Sequence, residues 1–113
     1  MKKLTALLAA AILTVAAGSC SKGSDEKSES GKDPDWVRGR AVFVANCVAC
    51  HNNDPSKDGP IGPAIKGSSK ELVEARVLST TYPAGYKPKR TTKVMPQFPF
   101  LKDEIPYLAA YLR

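Results

Sequence analysis

Two thiols and an imidazole stand together in the run Cys47-Val48-Ala49-Cys50-His51. A pair of cysteines at this spacing can do three kinds of chemistry: cycle as a redox dithiol, supply half of a zinc site, or take up a haem covalently. A tetrahedral structural zinc needs four nitrogen or sulfur ligands. From residue 21 onward, Cys47, Cys50 and His51 are all that the chain offers. A thioredoxin-like dithiol belongs in a βαβ pattern, and no strand alternation flanks this pair. C-x-x-C with a histidine directly after it is the signature of c-type haem attachment. Thiols about one helical turn apart can add to the two vinyl groups, and the next residue then brings an imidazole beneath the iron.

Composition narrows the other side of that iron. The chain has one histidine, so a second imidazole is excluded, and of its two methionines one is Met1 and the other Met95. A side-chain sixth ligand is therefore Met95 or one of the lysines. Met95 lies in Val94-Met95-Pro96-Gln97-Phe98-Pro99, a stretch too rich in proline for a helix and able to hold a thioether on extended backbone. Methionine also serves as a filler of irregular core gaps. In a haem protein without a second histidine, ligation is the favoured use.

These residues resemble the monohaem class I cytochromes c, and the likeness covers Trp36 to Arg113. The haem motif and Met95-Pro96 carry most of it. Gly39 and Phe43 are similar to the family's first helix, where the glycine lets the last helix cross closely; Leu108 and Tyr111 are similar to that partner. Gly62-Pro63-Ala64-Ile65-Lys66-Gly67 is similar to the family's G-P-x-L-x-G loop. The resemblance implies that the Pro63 carbonyl accepts a hydrogen bond from His51 and orients it. It also implies an all-α cytochrome c fold, three to four short helices and long loops around one covalent haem c.

The elements that must position these groups follow from local signals. A first helix is expected from Trp36 to about Cys50, with Asp35 as its N-cap and Val37, Ala41, Val44 and Val48 at helical spacing. Residues 52–67 hold Pro55, Gly59, Pro60, Gly62, Pro63 and Gly67 and read as a loop. Ser68 with Glu71 three residues on forms a capping-box signature for a second helix to about Ser79, with Leu72, Ala75 and Leu78 inward. Asp103 can cap a last helix whose first turn contains Pro106, where a missing N–H costs nothing. Between them, residues 80–102 form a loop long for so small a domain. It is expected to wrap one haem face with Met95, Phe98, Phe100, Tyr82 and Tyr86 nearby.

The rest of the chain sets the context. Residues 1–19 have the layout of a cleaved signal: Met1-Lys2-Lys3, an apolar run from Leu4 to Ala17, then Gly18-Ser19. Ala17-Gly18-Ser19-Cys20 resembles a bacterial lipobox, which implies a lipidated Cys20. Residues 20–35 are then the anchor and a polar tether that cannot offset its own ordering entropy. The folded domain is residues 36–113, 78 residues, short enough to need a staple such as a cofactor.

Of the chain's net charge of +6, the tether contributes an excess of two acids, while the domain alone carries 12 basic and 6 acidic residues. Such a surface suits anionic partners, and Lys87, Lys89, Arg90 and Lys93 concentrate the charge just before Met95. They are expected either to steer an acidic redox protein toward the haem edge or to form a solvated loop in which one Arg or Lys neutralises a haem propionate. The expected function is one-electron transfer between a donor and an acceptor protein in the bacterial periplasm or cell envelope, at the membrane through Cys20. No nucleic acid or small-molecule substrate is expected. Competing readings are a haem enzyme or small-ligand sensor with a displaceable sixth ligand, a fixed haem subunit of a larger complex, and a thiol oxidoreductase without haem.

Overall fold

The computed structural model describes residues 31–113; the expected signal, Cys20 and most of the expected tether lie outside the described residues. Among the described residues, three α-helices and one 3-10 helix make up the regular structure: α1, Pro34–Asn46; α2, Lys70–Ser79; the 3-10 helix, Pro99–Glu104; and α3, Ile105–Leu112. Among the described residues there is no strand. This is the all-α architecture expected.

Helix α1 starts earlier and ends earlier than expected. Its N-cap is Asp33, whose carboxylate accepts from the Asp35 N–H at 2.7 Å, and Pro34 opens the helix. Proline suits that position because its absent N–H has no intrahelical partner there anyway. Asp35 thus lies in the first turn, where its charge complements the helix dipole. At the other end the helix stops at Asn46, whose side chain bonds back to the Val42 carbonyl at 2.9 Å. Cys47 to His51 continue as a tight turn, with the N–H groups of Cys50 and His51 both on the Cys47 carbonyl.

The inward face of α1 also differs from the apolar count. Ala41 and Val44 are exposed and Val37 and Val48 are half-buried, whereas Gly39 and Phe43 are buried, Phe43 completely. Close approach decides the face. A Cβ on Gly39 would lie 1.9 Å from the Tyr107 carbonyl oxygen and 2.9 Å from Tyr111 Cβ, so α3 rests directly on the α1 backbone. Tyr111 then sits between Trp36 and Phe43, with ring centroids 5.1 and 5.2 Å away in tilted geometries that favour aromatic pairs. Arg38 seals the crossing by a two-pronged ion pair with Glu104, at 2.9 and 2.7 Å, while its guanidinium covers the Tyr107 ring.

Helix α2 is capped by Ser69, which accepts from the Leu72 N–H at 3.2 Å; the Ser68 hydroxyl turns the other way and donates to the Ile65 carbonyl. The register therefore moves by one residue from the expected cap. Val73 and Val77 are the buried pair, and Leu72, Ala75 and Leu78 are half-buried. α2 ends on Thr80 in the left-handed region, φ 54°, a rare conformation for a β-branched residue. The Arg76 side chain holds the Thr80 carbonyl and lies over the Tyr82 ring.

Asp103 does not cap α3, because residues 99–104 first form the 3-10 helix; Glu104 occupies the cap position and Pro106 falls in the first turn of α3 as expected. Phe43, Val73, Val77, Leu101, Ile105, Leu108, Tyr111 and Leu112 form the core. Full burial of a side chain such as Phe43 stabilises by about 2 to 3 kcal/mol.

Candidate functional site

The turn after α1 and the loop 52–67 are folded onto one another by backbone hydrogen bonds. The Cys50 carbonyl accepts from the Ile61 and Gly62 N–H groups at 3.2 and 2.8 Å, and the Gly59 N–H reaches the Gly62 carbonyl at 2.9 Å. Two glycines permit this. A Cβ on Gly59 would lie 2.3 Å from the Cys50 carbonyl oxygen, and one on Gly62 would lie 2.5 Å from His51 Cε1. Gly62 was visible in the sequence as part of a motif; the role of Gly59 was not, since it depends on how the loop doubles back.

His51 is buried, and its Nδ1 lies 2.9 Å from the Pro63 carbonyl oxygen. A carbonyl only accepts, so Nδ1 carries the proton and donates. In a neutral imidazole that leaves the Nε2 lone pair free for a metal, and the hydrogen bond fixes the ring's orientation.

Cys47, Cys50, His51 and Met95 line one cavity of about 340 Å³, within the size range of small-molecule and cofactor sites. Apolar side chains from the helices complete the wall, among them Phe43, Leu72, Val73, Val77 and Leu108. Tyr82, Tyr86 and Phe98 of the 80–98 strap also line it, the two tyrosines stacked at 5.4 Å. Phe100 does not join them: it points into solvent, 71% exposed, and touches Phe98 edge-on. It follows Pro99 into the 3-10 helix, where Leu101 takes the inward position.

No disulfide joins Cys47 to Cys50. Burial, with Cys50 adding to it, pushes the Cys47 thiol up to about 11. Reactive redox cysteines need the opposite shift, toward thiolate, so the environment of Cys47 speaks against the dithiol reading. The donor set in the cavity, one imidazole with its outer N–H already engaged, one thioether and two thiols at attachment spacing, fits a c-type haem.

A family model described as Cytochrome c matches residues 36–113. The chain belongs to the cytochrome c family. A cytochrome c-553-like protein of Synechocystis sp. is 35% identical to it over 79 residues, which is 70% of this chain and 68% of that protein. No solved structure matches the chain. Membership makes this a class I c-type cytochrome with covalently bound haem c, an electron-transfer protein and not an enzyme, whose partners are redox proteins.

The basic cluster is divided by the cytochrome's structure. Lys87 and Lys93 are exposed. Lys89 and Arg90 instead reach across to the loop 52–67: Lys89 Nζ donates to the Ala64 carbonyl and Arg90 Nη1 to the Ile61 carbonyl, each at 2.7 Å. Arg90 also pairs with Asp58 at 3.5 Å. Asp58 had no signal in the sequence, because its charged partner, Arg90, lies some thirty residues away.

Proposed function

We propose that this cytochrome carries one electron at a time through a haem attached at Cys47 and Cys50 and ligated by His51 and Met95. The supporting observation is that all four residues line a single apolar cavity, with the His51 ring already held by Pro63. The bound haem supplies a reversible ferric/ferrous couple. The chain's own residues do the rest. Pro63 fixes the imidazole tautomer, Gly59 and Gly62 let the loop close against it, and the core of α1, α2 and α3 keeps water from one side of the cavity. A thioether from Met95 favours the reduced state and leaves no open position for a substrate.

The cellular setting of the proposal rests on sequence. Ala17-Gly18-Ser19-Cys20 supports lipidation at Cys20 after export, and the polar stretch behind it supports tethering of the domain to a membrane of the bacterial envelope. No helix among the described residues is long and apolar enough to cross a membrane. Lys87 and Lys93, exposed on the strap that carries Met95, support docking of an acidic redox partner; charge of this kind acts mainly on association rate.

Intact-mass analysis and a redox titration of the purified protein test the proposal together. The expected results are a mass greater than the chain by one haem, no alkylatable thiol at Cys47 or Cys50, and a reversible one-electron wave unaffected by carbon monoxide. Free thiols at both positions, or a ferrous form that binds carbon monoxide readily, would overturn it.

A further inference from the structure

The strap from Thr80 to Phe98 is closed at its base: the Phe98 N–H bonds to the Val77 carbonyl at 2.7 Å and the Gln97 side chain to the Ser79 carbonyl at 3.4 Å. Its far part is fastened differently. Between Tyr86 and Gln97, the side chains of Lys89 and Arg90 make all of the strap's hydrogen bonds to the rest of the described residues. They grip carbonyls at Ala64 and Ile61, on either side of Gly62-Pro63. Asp58 ties the grip together, since one carboxylate oxygen meets Arg90 and the other accepts from the Ala64 N–H at 2.7 Å.

We propose that Arg90 is a positioning residue which, with Lys89 and Asp58, clasps the Met95 strap to the loop that orients His51. This rests on the assignment of His51 and Met95 as the iron ligands. An exposed ion pair such as Arg90 with Asp58 is weak by itself. The charge-assisted bond from Arg90 to the Ile61 carbonyl is the stronger member, and the half-exposed guanidinium spans both acceptors at once. The clasp makes the Met95 strap and the loop that orients His51 move as one body, so that Met95 leaves its place only when these bonds break.

The test uses imidazole as an external ligand for the ferric holoprotein. Imidazole must displace Met95, so its apparent affinity scales with the population of opened strap. Losing a hydrogen bond to a charged group corresponds to roughly a tenfold to hundredfold change in that population. Arg90→Ala is therefore expected to bind imidazole about tenfold or more tightly and to weaken the thioether-to-iron charge-transfer band, with Arg90→Lys restoring part of both. Asp58→Asn, a milder change, gives a smaller shift in the same direction and serves should Arg90→Ala fold poorly. Arg38→Ala removes an ion pair on the far side of the domain and is the control for general stability: it lowers the denaturation midpoint without raising imidazole affinity.

Equal affinities in wild type and the Arg90 and Asp58 variants would remove the clasp, as would an Arg38→Ala variant that gains as much. A wild-type ferric protein without the charge-transfer band would instead remove the Met95 assignment on which the clasp depends.

Discussion

Pro63 and His51 are locked at 2.9 Å, carbonyl oxygen to Nδ1, and the residue before the proline has no room for a side chain of its own. The loop 59–64 therefore acts on the imidazole in two ways. It accepts the hydrogen bond that fixes the tautomer, and it presses its backbone against the ring so that the ring cannot turn.

Gly62→Ala tests that contact. The added methyl would sit 2.5 Å from Cε1 and 2.6 Å from Nδ1 of His51, and relief requires either the loop or the ring to leave its hydrogen bond. Overpacking of this kind costs roughly 1 to 3 kcal/mol. The expected outcome is a lower denaturation midpoint together with a changed haem absorption spectrum, because the His51–Pro63 bond is disturbed; a stable variant with an unaltered spectrum would contradict the contact.

Gly39→Ala is expected to be more damaging to stability and silent in ligand chemistry. Its methyl meets the backbone of α3, 1.9 Å from the Tyr107 oxygen, and backbone cannot rotate away as a side chain does. A loss of roughly 3 kcal/mol or more is expected, measured by chemical denaturation, while the spectrum of the folded fraction stays that of wild type.

Acid stability follows from the Arg38–Glu104 pair. Hydrogen bonds from Arg38 hold the Glu104 carboxyl below its ordinary value of 4.5. A carboxyl depressed on folding contributes its stabilisation in full above its unfolded value and loses it as pH falls through the folded one. Wild type and Glu104→Gln should thus differ most in denaturation midpoint above pH 4.5 and converge below it. A difference that stays constant across this range would show that the pair's charge contributes nothing.

Much of the site was legible because its chemistry depends on residue identity and close spacing. Cys47, Cys50 and His51 announce themselves within five residues, and composition alone brings Met95 forward, since the other methionine of the sequence is Met1. The fold was legible where one local signal stood alone, as with Pro106 in the first turn of α3. It was misread where two signals competed: Asp33 or Asp35 as a cap, Ser68 or Ser69 as a cap, and a valine stripe against a glycine-aromatic face on α1. A glycine buried by backbone approach is invisible to apolar counting, and Gly39 decides that face. The clasp through Asp58, Lys89 and Arg90 was not legible at all, since it joins two loops whose paths are set by the cofactor cavity between them.

The ferric absorption spectrum of wild type beside Met95→Ala tests the central claim most directly. The account predicts a low-spin wild type with a thioether-to-iron charge-transfer band, and a Met95→Ala variant that loses the band, binds external ligands and has a lower reduction potential. A variant that keeps its low-spin spectrum and its potential would show that the sixth ligand is another residue.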